Sequence, residues 1–199
     1  MLMKNTLAAL ALSGLALTAA PDVFAQSASG DGAGWFVNGG VGRTSLKSGP
    51  YDGSATGYNI AAGYRWNVLF PWLSIGLEAG YNDLGNIQAK NLFNGDAVVE
   101  DESQLHGWTV GLNQRFALGD RWYASMRGGL YGWKGQGLRN DTVSDRSDLD
   151  KLSWYAGAGV GYNLGEHFSI GANYDHYNAK KFDVDLSTDM TSVNAEYRF

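Results

Sequence analysis

The side chains best suited to acid–base work near neutral pH are the three histidines, His106, His167 and His176, because an unperturbed imidazole titrates in that range. Nucleophilic catalysis would need one of them beside a hydroxyl and oriented by a carboxylate. A period-two reading of the neighbouring residues opposes this. Asp175 points away from the side that carries His176, Tyr177 and Asn178 follow His176, and His167 falls in a short polar turn. No Ser–His–carboxylate set falls on one face, so no catalytic residue and no cofactor site is assigned. Two acidic stretches are the next candidates: Asp96, Glu100, Asp101 and Glu102, then Asp141, Asp145, Asp148 and Asp150. Hard oxygen ligands of this kind hold divalent cations, but the spacing is not that of an EF-hand loop, and solvated loop tips are the simpler reading. No metal ligand set is assigned. Cysteine is absent, which removes disulfides, thiolate chemistry and Cys-based metal sites. The net charge of −5 argues against a nucleic-acid partner, which calls for a basic face.

The elements that position these residues are strands. Thr191 to Phe199 alternates without a miss, with Thr191, Val193, Ala195, Tyr197 and Phe199 on one face and Ser192, Asn194, Glu196 and Arg198 on the other, the signature of a strand with one apolar side. The same period recurs from Gly34 onward and predicts eight strands: Gly34–Thr44, Thr56–Trp66, Trp72–Asp83, His106–Leu118, Arg121–Lys134, Leu152–Leu164, His167–Asn178 and Thr191–Phe199. Each is about the length a tilted membrane-crossing strand requires. Connections alternate between short (Asn67–Pro71, Gly119-Asp120, Gly165-Glu166) and long (Lys47–Ala55, Leu84–Leu105, Gly135–Lys151, Ala179–Thr188). In an antiparallel meander this puts all short turns at one end and all long loops at the other. Leu118 to Tyr123 and Leu164 to Ser169 are near-repeats, as expected of successive hairpins.

Face parity separates two sets of residues. Trp35, Trp66, Trp108, Trp122, Trp154, Tyr162, Phe168, Tyr197 and Phe199 bracket a Val/Ile/Leu/Ala band, the two girdles that amphipathic rings form at membrane interfaces. Arg65, Glu78, Arg115, Arg127, Asp175, Glu196 and Arg198 occupy the other face. A basic side chain facing lipid at mid-bilayer costs roughly 2–4 kcal/mol, so this face is expected to line the interior of a closed barrel as one ion-pair network. Glu78 and Arg127 lie at similar heights, Arg65, Arg115, Glu196 and Arg198 toward the turns and Asp175 toward the loops. Before the first strand, Lys4, the apolar stretch Leu7 to Leu17 and Val23-Phe24-Ala25 predict a secretory signal over residues 1–25. A flexible Gly/Ser-rich lead-in over 26–33 precedes a barrel domain spanning 34–199.

Ser125-Met126-Arg127-Gly128-Gly129-Leu130-Tyr131-Gly132-Trp133 and the closing Ala195-Glu196-Tyr197-Arg198-Phe199 resemble segments of the eight-stranded transmembrane domain of outer-membrane protein A and related small barrels. The resemblance spans Gly34 to Phe199. It implies an all-β, eight-stranded antiparallel up-and-down barrel in the bacterial outer membrane, reached by export through the periplasm. It also implies recognition of Thr191–Phe199 by the barrel-insertion machinery and contact with outer-membrane lipid and lipopolysaccharide. The periplasmic peptidoglycan-binding domain of that family's longer members has no counterpart here, so wall anchoring is not implied. A non-enzymatic barrel that supports the envelope and presents surface loops is the leading expectation. A narrow pore gated by the interior charges is the second, and a lipid A-modifying enzyme near His106 and His176 the third. The last is disfavoured because the deacylase pattern would want a Ser two residues after His176.

Overall fold

The computed structural model describes residues 34–48, 51–67, 70–94, 97–140, 143–181 and 184–199. The signal and lead-in expected over 1–33 lie outside the described residues, as do the side chains of Asp96, Glu100, Asp101, Glu102, Asp141, Asp145 and Asp148. Ten strands follow in order: β1 (Gly34–Ser48), β2 (Tyr51–Asn67), β3 (Leu73–Asn94), β4 (Ala97–Ala117), β5 (Trp122–Asn140), β6 (Val143–Asn163), β7 (Phe168–Tyr177), the two-residue strands β8 (Lys180–Lys181) and β9 (Val184–Asp185), and β10 (Thr188–Arg198). Eight of them close into an antiparallel barrel in the order β1-β10-β7-β6-β5-β4-β3-β2, while β8 and β9 pair with each other. The seam is continuous from Phe36 opposite Arg198 to Ser45 opposite Asp189. Beyond it, Phe199 donates its N–H to the Trp35 carbonyl at 3.0 Å.

Alternation along each strand sends one set of side chains outward. Val37, Val41, Ile60, Leu77, Val110, Leu112, Leu130, Val160, Ile170 and Val193 are all exposed, a continuous apolar belt that only lipid can cover. Aromatic residues border it. Phe70 and Trp72 extend the turn-side girdle beyond the residues named from the sequence; their rings stack at 5.3 Å on the connection between β2 and β3. The two near-repeated turns close alike, with Leu118 N–H donating to the Trp122 carbonyl at 2.8 Å and Leu164 N–H to the Phe168 carbonyl at 2.9 Å. Gly119 takes φ +105° in the first of these with open space around its α-carbon, so glycine is needed there for conformation rather than for room.

Strands β3 to β6 run well past the boundaries expected from amphipathic alternation. Residues 84–105 and 135–151, expected as loops, lie mostly in paired strand, with Phe93 opposite Val98 and Leu138 opposite Arg146. The alternating pattern ends where lipid ends, because the outward face then meets water and no longer selects apolar side chains. Backbone pairing continues, because each strand still needs a partner for its N–H and C=O groups. The last strand begins at Thr188, three residues earlier than expected, and the connection before it carries the small β8–β9 hairpin.

Leu112 sits mid-belt on β4, half exposed, with Leu77 and Gly128 opposite it. Leu112→Arg is expected to lower the unfolding free energy by about 2–4 kcal/mol in denaturant titrations of the barrel in lipid vesicles, well beyond Leu112→Ala. Equal costs for the two would mean that this face does not meet lipid.

Candidate functional site

The lumen is filled rather than open, as expected for eight strands. Near the turns Glu196 on β10 is the hub. Arg65 on β2 donates to both its oxygens, Nη1 to Oε1 at 2.9 Å and Nη2 to Oε2 at 2.6 Å. Arg115 on β4 donates Nη1 to Oε1 at 2.5 Å. Two planar guanidinium forks thus converge on one buried carboxylate. Each also lies over an aromatic ring, Arg65 above Phe36 at 3.7 Å and Arg115 above Tyr123 at 3.5 Å, where the ring face attracts the cation. Asn163 accepts from Arg115 at 2.5 Å and from Arg198 at 3.3 Å, bringing Arg198 into the same cluster.

Higher in the lumen Arg127 on β5 makes a bidentate pair with Asp175 on β7, Nε to Oδ1 at 2.6 Å and Nη2 to Oδ2 at 2.5 Å. Gly157 on β6 makes room for it, since a Cβ there would collide with the Asp175 carboxylate. Glu78, expected to share one ion-pair network with Arg127, takes other partners. Asn113 donates to its Oε2 at 2.7 Å and Tyr155 to its Oε1 at 2.9 Å. Parity put Glu78 and Arg127 on the same face at similar heights, but β4 stands between β3 and β5. Asn113 on that strand meets Glu78 first and accepts from Arg65 Nε at 2.7 Å. The interior charges therefore form two ion-paired groups, with Glu78 joined to the lower one through a neutral amide. A cavity of about 20 Å³ remains between them, lined by Asn38, Arg65, Arg127, Asn194 and Glu196 among others, with room for a water molecule. A second, of about 10 Å³, opens among Ser74, Arg115, Tyr123, Asn163 and Arg198 at the turn end.

The loop half of the lumen is apolar. Leu46, Leu84, Leu105, Trp133, Leu186 and Met190 are buried together with Tyr131, Tyr155 and Tyr177, and the rings of Tyr131 and Tyr177 lie 5.2 Å apart. Leu186 comes from the short connection between β9 and β10, where its side chain turns into this cluster. Its N–H donates to the Ala179 carbonyl at 2.9 Å, and Lys180 pairs with Asp185 at 2.8 Å. Partial burial works to raise the Asp185 carboxyl, but donors from Lys180 and Ser187 outweigh it and hold the group below its ordinary value. Such a group contributes stability above its unfolded pKa that is lost as pH falls through the folded one. The contribution of Asp185 is therefore present at neutral pH and lost in acid. Sequence reasoning missed this stopper because Leu84, Leu105 and Leu186 fell in segments assigned to loops, although Tyr131, Trp133, Tyr155 and Tyr177 lay in assigned strands with the parity of Arg127 and Asp175.

On the outer face, the early start of β10 brings Asp189 opposite His176, with Nδ1 2.7 Å from Oδ1. A His–carboxylate pair does share one face after all. Among the described residues no hydroxyl is hydrogen-bonded to its second ring nitrogen, and no three His, Asp or Glu side chains converge as a metal site. The girdle residues named from the sequence lie on the lipid side, with Trp35, Trp66, Trp108, Trp122, Trp154, Phe168, Tyr197 and Phe199 exposed and Tyr162 edge-on to Trp122 at 5.2 Å.

A closed antiparallel cylinder, apolar outside and ionic within, defines a transmembrane barrel of the bacterial outer membrane. The chain belongs to the outer membrane protein beta-barrel domain family, whose model matches residues 7–199. No curated protein sequence matches the chain significantly. Among solved structures it is similar to neisserial surface protein A (16% identity, TM-score 0.55, covering 84% of this chain and 98% of that one). It is likewise similar to Ail, the attachment invasion locus protein of Yersinia pestis (18%, 0.53, 84% and 99%), and to the N-terminal barrel domain of Pseudomonas aeruginosa OprF (15%, 0.51, 84% and 98%). At these identities the likeness is one of fold. It places the chain among small eight-stranded outer-membrane barrels at large, without singling out the branch of outer-membrane protein A.

Glu196→Gln keeps the hub's shape but leaves Arg65 and Arg115 without a carboxylate. It is expected to cost about 3–5 kcal/mol in denaturant unfolding. Glu78→Gln, whose partners are neutral, is expected to cost far less, and an equal loss would mean that Glu78 carries an ionic partner.

Proposed function

We propose that the protein is a non-enzymatic, non-conducting outer-membrane barrel that reinforces the envelope and presents its long hairpins to the exterior. The observation that carries this reading is the apolar stopper. An ion crossing the lumen would have to displace Trp133, Leu186 and Met190, each 1% exposed or less, and their buried neighbours. The buried hydroxyls of Thr44 and Thr188 at that level are bonded to the Leu84 and Leu186 carbonyls and form no continuous polar lining to replace a hydration shell. On this reading residues 1–25 direct export, and Thr191–Phe199 is presented to the barrel-insertion machinery before it closes the seam against β1. The short turns face the periplasm and the long hairpins face outward among lipopolysaccharide, as the even strand number and loop asymmetry favour.

The second reading, a narrow pore gated by the interior charges, is favoured by the two water-sized cavities flanking Arg115. They lie in the ion-paired part of the lumen, below the apolar stopper. An enzyme is disfavoured, since among the described residues no hydroxyl is hydrogen-bonded to the His176 imidazole, and the Tyr174 hydroxyl donates to the Asp189 carboxylate instead. Ail is an attachment invasion locus protein. That property belongs to Ail, and a share in it here would rest with the outward hairpins.

In planar bilayers the wild-type barrel is expected to give no unitary current steps, and the doubly truncated Trp133→Ala/Leu186→Ala barrel to give them. Heat-modifiable gel mobility checks that both are folded. Steps from the wild type would favour the pore. Cysteines introduced at Gly119 and at Asp96 report sidedness: impermeant biotin applied to cells should label only the second.

A further inference from the structure

The outer surface carries a polar row just beyond the aromatic girdle. Register sets Asp83 on β3 opposite His106 on β4, His106 opposite Lys134 on β5, and Lys134 opposite Asp150 on β6. All four project to the lipid side, since the alternate positions Leu84, Leu105 and Trp133 are buried in the lumen. The row lies two residues nearer the loops than Tyr81, Trp108, Gly132 and Leu152, which oppose one another across the same strands. The Trp108 indole lies flat across Gly132, where any Cβ would collide with it. The surface beneath the row is therefore broad and aromatic.

The charges of this row are unevenly engaged. Asp83 Oδ1 accepts from the Gly85 N–H at 2.9 Å. Asp150 Oδ1 pairs with Lys181 Nζ at 3.2 Å, and the same ammonium donates to the Asp150 carbonyl at 2.9 Å. Both carboxylates thus have partners within the chain. The two nitrogen-bearing side chains between them do not. Among the described residues no carboxylate lies within ion-pair distance of Lys134, and the contact recorded for His106 is with the Tyr81 ring, 6.2 Å between centroids. Adjacent donors at the polar edge of an aromatic, lipid-facing surface fit an anion that is itself attached to acyl chains. One strand period of two residues, roughly 6.5–7 Å, separates the apolar floor from the donors. That matches a headgroup whose phosphate sits just above its hydrocarbon.

We propose that His106 and Lys134 form a site for the phosphate of an acylated outer-leaflet glycolipid, with Tyr81 and Trp108 packing against its apolar part. The site deepens the lipopolysaccharide contact of the reading above and rests on its outward placement of the hairpins. A soluble anion would gain nothing from the aromatic floor, so the occupant is a lipid.

The folded full chain in detergent is titrated with bisphosphorylated lipid A, with the same lipid A freed of both phosphates, and with inorganic phosphate. Lys134→Glu is expected to weaken binding of the phosphorylated lipid roughly tenfold, the loss of one charge-assisted contact, and to leave the dephosphorylated lipid unaffected. His106→Asn should give a smaller loss of the same selectivity. Lys151→Glu, exposed but of opposite parity on β6, should change neither affinity. Unchanged binding in Lys134→Glu would overturn the site, as would loss of wild-type binding on chelation of divalent cations, which would place a metal on the carboxylates instead. Displacement by millimolar inorganic phosphate would overturn the lipid as occupant. The cysteine labelling above tests sidedness separately. Exterior labelling at Gly119 would remove the outward placement while leaving the measured selectivity intact.

Discussion

Everything in this structure depends on the need of each backbone N–H and C=O in hydrocarbon for a partner within the protein. A strand supplies none for itself, so an open sheet in lipid would leave two unpaired edges, each group costing several kcal/mol. Closure of β1 on β10 removes both edges. Once the sheet is closed, inside and outside become separate environments, and the alternation of every strand is read against them. Val193 faces lipid and Glu196 faces the lumen because the seam joins, not because either residue prefers its surroundings locally.

Closure also forces charge into a narrow, water-poor interior. Burying one guanidinium alone would be costly; two on one carboxylate, each backed by a ring, offset much of that cost. The arrangement around Glu196 is economical in this sense, since Arg65 and Arg115 share its oxygens and hand their remaining donors to Asn113 and Asn163. The Arg127–Asp175 pair repeats the solution one layer higher. Above it the lumen changes character, and polar satisfaction gives way to packed aromatic and aliphatic side chains. This gradient, ionic toward the turns and largely apolar toward the loops, links the fold to the proposed closed barrel.

The outer surface follows the same logic in reverse. Aromatic side chains mark the levels where hydrocarbon meets headgroups, and polar side chains resume just beyond. The carboxylates at that level are engaged by Gly85 and Lys181, while Lys134 and His106 remain turned toward the lipid headgroups. Interior charge is met by the protein itself, whereas exterior charge is met partly by the protein, as at His176–Asp189 and Asp150–Lys181, and on the proposed reading partly by the membrane.

The sequence by itself determined the strands, their faces and the even, alternating connections, because lipid outside and a filled lumen inside impose a period of two that survives in the residue order. Trp35, Ile60, Leu112 and Val193 could be placed outward, and Arg65, Arg127 and Glu196 inward, from parity alone. Only the tertiary structure decided which inward charges meet. Partners such as Arg65 and Glu196, or Arg127 and Asp175, lie far apart in sequence, and their contact depends on barrel shear and side-chain reach. Glu78 illustrates the limit: its parity was legible, but the Asn113 amide that intercepts it was not. The stopper was hidden for a related reason. Beyond the lipid the alternation is no longer enforced, so the continued pairing of β3 to β6 and the inward fold of Leu186 follow from contacts across the barrel mouth rather than from any local pattern.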